Sequence, residues 1–377
     1  MDEAPRNHPI GRRTLLAAAG AAVATASGAA RAAASPRHSV KPELSNLQLA
    51  GQRVIYSYPG LTPPSSLISA IEAGNCAGVI FFGENISSTT QIASVIDDLR
   101  SAQMNSPISA PLLLMTDQEG GEIRRLPGGP TNSEKTIGSS SDPSGEAASA
   151  GTTAGHVLQG VGMNVNLAPV LDVYYTAGDF DDQYQRSYSS DQNIVSTCGQ
   201  SFIEAQQAVD VAATAKHFPG LGAATKYQNT DTGPVTLTQS LSKLRSVDEY
   251  PFQAAIAAGV QLIMLSWAVY TALDSSNPAG FSSTVVKSEL RSRLGFTGVT
   301  CTDALEAGAL SSSLTTSQRA IKAATAGMDL ILCSARSVSQ GNQAVNGLSA
   351  AYAAGTLPSA DFNAAVNRVT ALRNALA

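Results

Sequence analysis

The sequence predicts an α/β fold, a (β/α)8 TIM barrel, and three observations carry that reading. Eight short apolar runs recur along the chain, each followed by a polar turn and a helix-like stretch. The runs are continuously apolar rather than alternating, which suits parallel strands covered on both faces. Ionisable residues then cluster directly after several of these runs, where the C-terminal ends of barrel strands place an active site.

The strands are expected at 53–56, 78–82, 111–115, 165–170, 211–215, 260–265, 298–301 and 328–332. Helical periodicity fills the intervals, as in the stretch from Val285 to Leu294, and the segment from Pro358 onward reads as an amphipathic helix that closes the ring. Eight strand-then-helix units fit one closed barrel better than an open sheet with a second domain, and 377 residues allow a single barrel with insertions. The Ser-rich stretch 136–145 reads as a long loop. There is no internal repeat of short period.

Apolar residues make up 43% and charged residues 14% of the chain, ample material for a large core. The formal net charge is −5, with no basic run beyond the N-terminus. That argues against nucleic acid as a partner, because backbone phosphates demand clustered Lys and Arg. The N-terminus is different in kind. Arg12 and Arg13 precede Thr14-Leu15-Leu16, a small-residue apolar run follows, and Ala30-Arg31-Ala32-Ala33-Ala34 suits signal-peptidase cleavage. The expectation is a signal peptide of the twin-arginine type over 1–34 and a barrel over 35–377, giving a secreted protein without a membrane span. A disordered or membrane-anchoring arm is the alternative. Cysteines stand at 76, 198, 301 and 333, in no zinc-binding spacing. Cys301 and Cys333 fall in apolar strand runs that could be neighbours. Buried thiols are expected there, with a disulfide left open.

The chemistry-bearing residues follow the strand ends. The third strand leads into Asp117-Gln118-Glu119-Gly120-Gly121, the fifth into Lys216-His217-Phe218-Pro219-Gly220, and the seventh into Thr302-Asp303-Ala304-Leu305-Glu306. A carboxylate at position 303 suits attack on an anomeric carbon or service as a base, while its bland alternative is to cap a following helix. For Lys216 and His217 the alternative is a structural ion pair beneath the pocket. His156, in a helix-like stretch, reads as packed or solvated. No phosphate loop, HExxH or paired-Cys metal pattern occurs, so neither cofactor nor metal is expected.

Four motifs in the right order resemble glycoside hydrolase family 3, in its single-domain β-N-acetylhexosaminidase branch, from about residue 45 to the end. Asp117 to Gly121 with Arg125 is similar to the family's DQEGGxVxR, Lys216 to Gly220 to its KHFPG, Thr302 to Glu306 to its nucleophile segment, and Arg186-Ser187-Tyr188 to its RSF. The resemblance implies a barrel enzyme that cleaves terminal β-linked sugars, N-acetylhexosaminides foremost, from a cell-wall or other β-linked glycan. It implies Asp303 as nucleophile of a retaining mechanism, with Asp117, Arg125, Arg186, Lys216 and His217 hydrogen-bonding the sugar. Glu119 is expected to orient the loop or its neighbours without touching sugar.

One departure from the family pattern matters more than the matches. The family continues with KHFPGHG and then DSH, whose His is the acid/base oriented by the Asp. Here the chain reads Gly220-Leu221-Gly222 and then, after a somewhat longer loop, Asn229-Thr230-Asp231-Thr232-Gly233, with no histidine after His217. Alignment on Thr-Gly sets Asn229 at the Asp and Asp231 at the His. Three readings stand: Asp231 replaces the histidine as acid/base, the chain is a glycan-binding protein without efficient turnover, or the barrel acts on another β-glycosidic linkage with its acid supplied elsewhere.

Overall fold

The structure, a computed structural model, describes residues 44–376, so the expected leader lies outside the described residues. Eight barrel strands follow in chain order: β1 (Val54–Tyr56), β2 (Gly78–Ile80), β3 (Leu113–Thr116), β4 (Val165–Asn166), β5 (Ala212–Phe218), β6 (Leu262–Leu265), β7 (Val299–Thr302) and β8 (Ile331–Leu332). Each of β1 to β6 pairs in parallel with the strand that follows it, and β8 pairs with β1. The remaining seam, between β7 and β8, is joined by a parallel bridge from Cys301 to Leu330. The sheet is thereby a ring, the expected (β/α)8 barrel.

Alternation along β1 shows why the strands read as unbroken apolar runs. Ile55 points into the barrel with Ile80, Leu113, Met115, Leu262 and Leu332, while Val54 and Tyr56 face the helices. Both faces are buried, so no polar side is required. The C-terminal helix, Ser359–Ala375, sends Val369 and Leu372 into the inner cluster. Its Arg373 donates to the Pro111 and Ala110 carbonyls, at 2.6 and 2.7 Å, just before β3. The amphipathic helix expected to close the ring is there, and it caps the N-terminal mouth, leaving the opposite mouth to the loops.

Three expectations need correction. Strand β5 runs on through Lys216, His217 and Phe218 instead of ending before them. Its ladder continues along the next segment, with Lys216 N donating to Pro169 O at 3.2 Å and Leu171 N to Lys216 O at 2.7 Å. Strand β4 is shorter than expected, because Pro169 has no N–H to give to a ladder. The Ser-rich stretch is not a long loop. Helices Glu134–Gly138 and Pro143–Gln159 occupy most of it, their starts fixed by Ser133 accepting from Thr136 N and Asp142 accepting from Gly145 N. Pro143 stands at the first turn, where its fixed φ and missing N–H cost nothing. Ser and Asp at caps resemble loop residues in composition, which is what misled the pattern.

All four cysteines are buried and free, Cys301 and Cys333 included. His156 is exposed on the helix Pro143–Gln159. Among the described residues no helix is long and apolar enough to cross a membrane.

Candidate active site

A cavity of about 500 Å³ opens at the C-terminal mouth of the barrel. Asp117, Arg125, Arg186, Lys216, His217, Asp231 and Asp303 all line it, so the strand-end residues singled out in the sequence converge on one place. Met264 and Leu332 from the barrel interior form part of its wall.

Asp117 follows β3, and the hairpin of Gln118–Gly120 with Ile123–Arg124 comes next. Gln118 staples that hairpin: its Oε1 accepts from Arg125 N and Leu126 N, both at 3.0 Å. Gly120 has φ +130°, and a Cβ there would meet Asn132 O at 2.5 Å, so the backbone passes where no side chain fits. Arg125 Nη2 thereby comes to 3.9 Å from Asp117 Oδ2. Lys216 Nζ sits between two carboxylates, 2.8 Å from Asp117 Oδ1 and 2.7 Å from Glu119 Oε1. Arg186, from the loop after β4, clasps Glu119 with Nε at 2.8 Å and Nη2 at 2.9 Å, and reaches Asp181 Oδ1 with Nη1 at 2.8 Å. Glu119 itself is buried and spans the two cations.

The pairing settles the electrostatics. Burial pushes the Glu119 carboxyl upward, but Arg186 and Lys216 outweigh it and hold it down at about 2. For Lys216 burial works against the charge, and Asp117 and Glu119 reverse that, raising its pKa. The donors that point into the cavity are therefore cations at any ordinary pH, held in place by carboxylates behind them. Ion-pairing and lining the cavity are combined in the same side chains.

His217 shows the same division of labour. Its Nδ1 lies 2.7 Å from Asp172 Oδ2, while the other Asp172 oxygen accepts from His217 N and Leu221 N. Burial disfavours the imidazolium, yet Asp172 outweighs it and raises the His217 pKa. Asp181 lies beside this pair, its carboxyl pushed by burial up to about 7. Asp172, Asp181 and His217 bring ligand-type atoms within 4.8 Å of one another, a set able to hold a metal ion, but the Arg186 guanidinium already supplies positive charge to Asp181 there. Asp172 and Asp181 were not singled out by the sequence. Their one signal is the placement of charged residues just past an apolar run, beside the RSY segment.

Asp303 is half-buried past β7, and one of its carboxylate oxygens accepts from Ala304 N at 2.7 Å. It caps no helix. The next helix, Thr316–Ala326, starts with Thr315 as its own cap. Trp267, beyond β6, donates its indole N–H to Ala304 O at 2.8 Å and steadies the turn that carries Asp303. Asp231 is exposed at the cavity rim. Its loop is pinned to the loop of Asp303, with Gly308 N donating to Asp231 O at 2.8 Å and Ala309 N to Thr230 O at 2.9 Å. Asn229 Oδ1 accepts from Asp231 N at 2.7 Å, shaping the turn from which the carboxyl projects. Although the residue is exposed, the cavity wall partly desolvates its carboxyl and so raises the Asp231 pKa, and the Asp303 carboxylate raises it further. Glu306, Ser334 and Arg336 complete the rim from the loops after β7 and β8, with Ser334 Oγ donating to Glu306 at 2.9 Å.

Residues 48–372 match the glycosyl hydrolase family 3 N terminal domain. The chain belongs to glycosyl hydrolase family 3. It is a glycoside hydrolase, and its substrates are carbohydrates. A secreted glycosyl hydrolase of Arthroderma benhamiae, described as uncharacterized, is 45% identical over 329 residues, covering 87% of this chain and 93% of that one. A family 3 β-N-acetylglucosaminidase from a Paenibacillus species superposes with TM-score 0.83 at 31% identity, covering 89% of this chain and 63% of that one. This chain thus spans less than two thirds of the Paenibacillus protein. A β-N-acetylhexosaminidase from Beutenbergia cavernae gives TM-score 0.80 at 30% identity, covering 88% of this chain and 99% of that one.

Proposed function

We propose that this family 3 hydrolase removes terminal β-linked sugars, N-acetylhexosaminides foremost, by a retaining mechanism with Asp303 as nucleophile and Asp231 as acid/base. The observation that carries the mechanism is the pinning of the Asp231 loop onto the Asp303 loop, which sets two carboxyl groups at one cavity with unlike surroundings. The β-N-acetylhexosaminidase of Beutenbergia cavernae and the β-N-acetylglucosaminidase of Paenibacillus support the sugar class.

The terminal sugar binds against Asp117, Arg125, Arg186, Lys216 and His217, whose fixed donors and acceptors match a ring of hydroxyls. Asp303 attacks the anomeric carbon while Asp231, its pKa raised by partial desolvation and by the neighbouring Asp303 charge, gives its proton to the leaving oxygen. Once Asp303 is esterified its charge is gone, so the Asp231 pKa falls and the carboxylate takes a proton from water in the second step. This role replaces that of the histidine absent from the loop. Secretion by a twin-arginine leader at 1–34 belongs to the same reading, in keeping with the secreted relative of Arthroderma benhamiae.

The test is turnover of aryl β-glycosides by the mature protein and its Asp303→Asn variant. Release from the N-acetylglucosaminide is expected with the wild type. The variant should lose several orders of magnitude while keeping its fold, since the covalent route needs an anion. More than about a tenth of the activity left in the variant removes Asp303 from the mechanism.

A further inference from the structure

Tyr184, 43% exposed, lines the cavity, and Tyr227, 84% exposed, stands two residues before Asn229, which lines it. Aromatic surface left in water at the edge of a binding cavity marks a place that a ligand covers. The two tyrosines are held relative to one another. Tyr227 stands at the tip of a turn closed by Gln228 N donating to Thr225 O at 2.8 Å and Thr225 N donating to Gln228 Oε1 at 2.9 Å. Gln183 Nε2 donates to Lys226 O at 3.2 Å, and Phe180 N to Ala224 O at 2.9 Å. These bonds lace the turn to the short helix Phe180–Gln183, directly before Tyr184. Phe180 backs Tyr184 edge-on with ring centroids 5.9 Å apart, which fixes the Tyr184 ring at the cavity wall. Lys226 Nζ approaches the Tyr227 ring to 4.8 Å and leaves most of that ring open.

This aromatic edge lies on one particular side of the cavity. Tyr227 precedes Asp231 in the same loop, and Asn229 between them lines the cavity. The proton donor of a glycosidase faces the departing oxygen, so whatever is attached to that oxygen runs past this loop. A β-linked pyranose with equatorial substituents offers flat faces of C–H bonds, which stack on the electron-rich face of an aromatic ring.

We propose that Tyr184 and Tyr227 form a leaving-group subsite that stacks the successive pyranose rings of a β-linked oligosaccharide. This deepens the function proposed above and rests on its assignment of the Asp231 side as the leaving-group side. The test compares wild type with Tyr227→Ala and Tyr227→Phe on two substrates of one sugar: an aryl β-glycoside that the wild type cleaves, and the β-linked tetrasaccharide. Tyr227→Ala should lower kcat/KM on the tetrasaccharide about tenfold through KM, with the aryl glycoside changed less than about twofold and Tyr227→Phe close to wild type on both. Equal losses on the two substrates, or no loss on the tetrasaccharide, overturn the subsite. If the wild type cleaves neither substrate, the catalytic reading fails and calorimetry decides the subsite by itself. Tetrasaccharide binding tighter than monosaccharide binding, with the difference erased by Tyr227→Ala, sustains it, and equal affinities reject it.

Discussion

At the scale of single residues, the proposed mechanism turns on Asp231, a carboxyl standing where the family pattern that the sequence resembles has a histidine. A carboxylic acid protonates a leaving group only while its surroundings favour the protonated form, and partial desolvation together with the Asp303 charge raises the Asp231 pKa in that direction. Asp231→Ala should therefore cripple cleavage of a disaccharide far more than glycosyl-enzyme formation from an activated aryl glycoside, which needs little protonation. Added azide should restore the second step, because a small anion attacks without base assistance once the Asp231 charge is gone. The sign of the pH dependence follows from the same shift. Activity on the disaccharide should fall as pH rises through the raised Asp231 pKa, and this basic limb should be lost in the variant for the aryl substrate. Equal loss on both substrates, or loss on neither, hands the proton to another group. A carboxylate at the rim also repels phosphate, which favours water as the acceptor. The sequence showed Asp231 because it sits in a recognisable loop. It did not show that Asn229, aligned with the family's orienting Asp, spends its side chain on the backbone of that turn.

At the scale of elements, the loops after β5 and β7 act as one piece. Gly308 lets them meet: a Cβ there would lie 2.6 Å from the Thr232 carbonyl carbon and 2.8 Å from Asp231 O. Gly308→Ala should force the Asp231 loop outward and lower kcat on a disaccharide about 10- to 100-fold, the usual effect of a small misplacement of a catalytic group. Glycosyl-enzyme formation from an activated aryl glycoside should change far less, since Asp303 is braced separately by Trp267. Stopped-flow measurement of the aryl burst separates the two steps, and parallel losses in both would show that Gly308 acts through folding. Elements also show where reading from sequence loses precision. The apolar run of β5 stops at Ala215, so the strand was expected to stop there, yet pairing with residues 169–171 carries it through Lys216 and His217. Charged side chains sit in that strand because the cavity and its carboxylates receive them.

At the scale of the whole molecule, closure of the ring depends on a buried acid far from the chemistry. Asp329, just before β8, accepts from Thr300 N at 2.9 Å in β7, from Arg368 Nη2 at 2.8 Å in the C-terminal helix, and from Arg291 Nη2 at 2.5 Å. It joins the last strands to the helix that caps the lower mouth. Asp329→Ala strands two guanidinium groups and should cost about 3–5 kcal/mol of stability in denaturant melts. The fraction that remains folded should keep its kcat, because the cavity lies at the other end. A further expectation concerns the leader: Arg12→Lys with Arg13→Lys should stop export, and unaffected secretion would assign the general pathway instead.

What the sequence determined by itself was whatever a local pattern can encode. Continuous apolar runs specify buried parallel strands, their number specifies the ring, and ionisable residues directly after them specify which mouth is functional. Only the tertiary structure decided which side chain supports which. His217 meets Asp172 across 45 positions, Arg186 meets Glu119 across 67, and Lys216 meets Asp117 across 99. Hydrogen bonds and ion pairs act over about 3 Å, so such partners are fixed by the curvature of the closed barrel and not by spacing along the chain. For the same reason Asp172 and Asp181, which set the charge state around His217, are unremarked in the sequence and central in the folded protein.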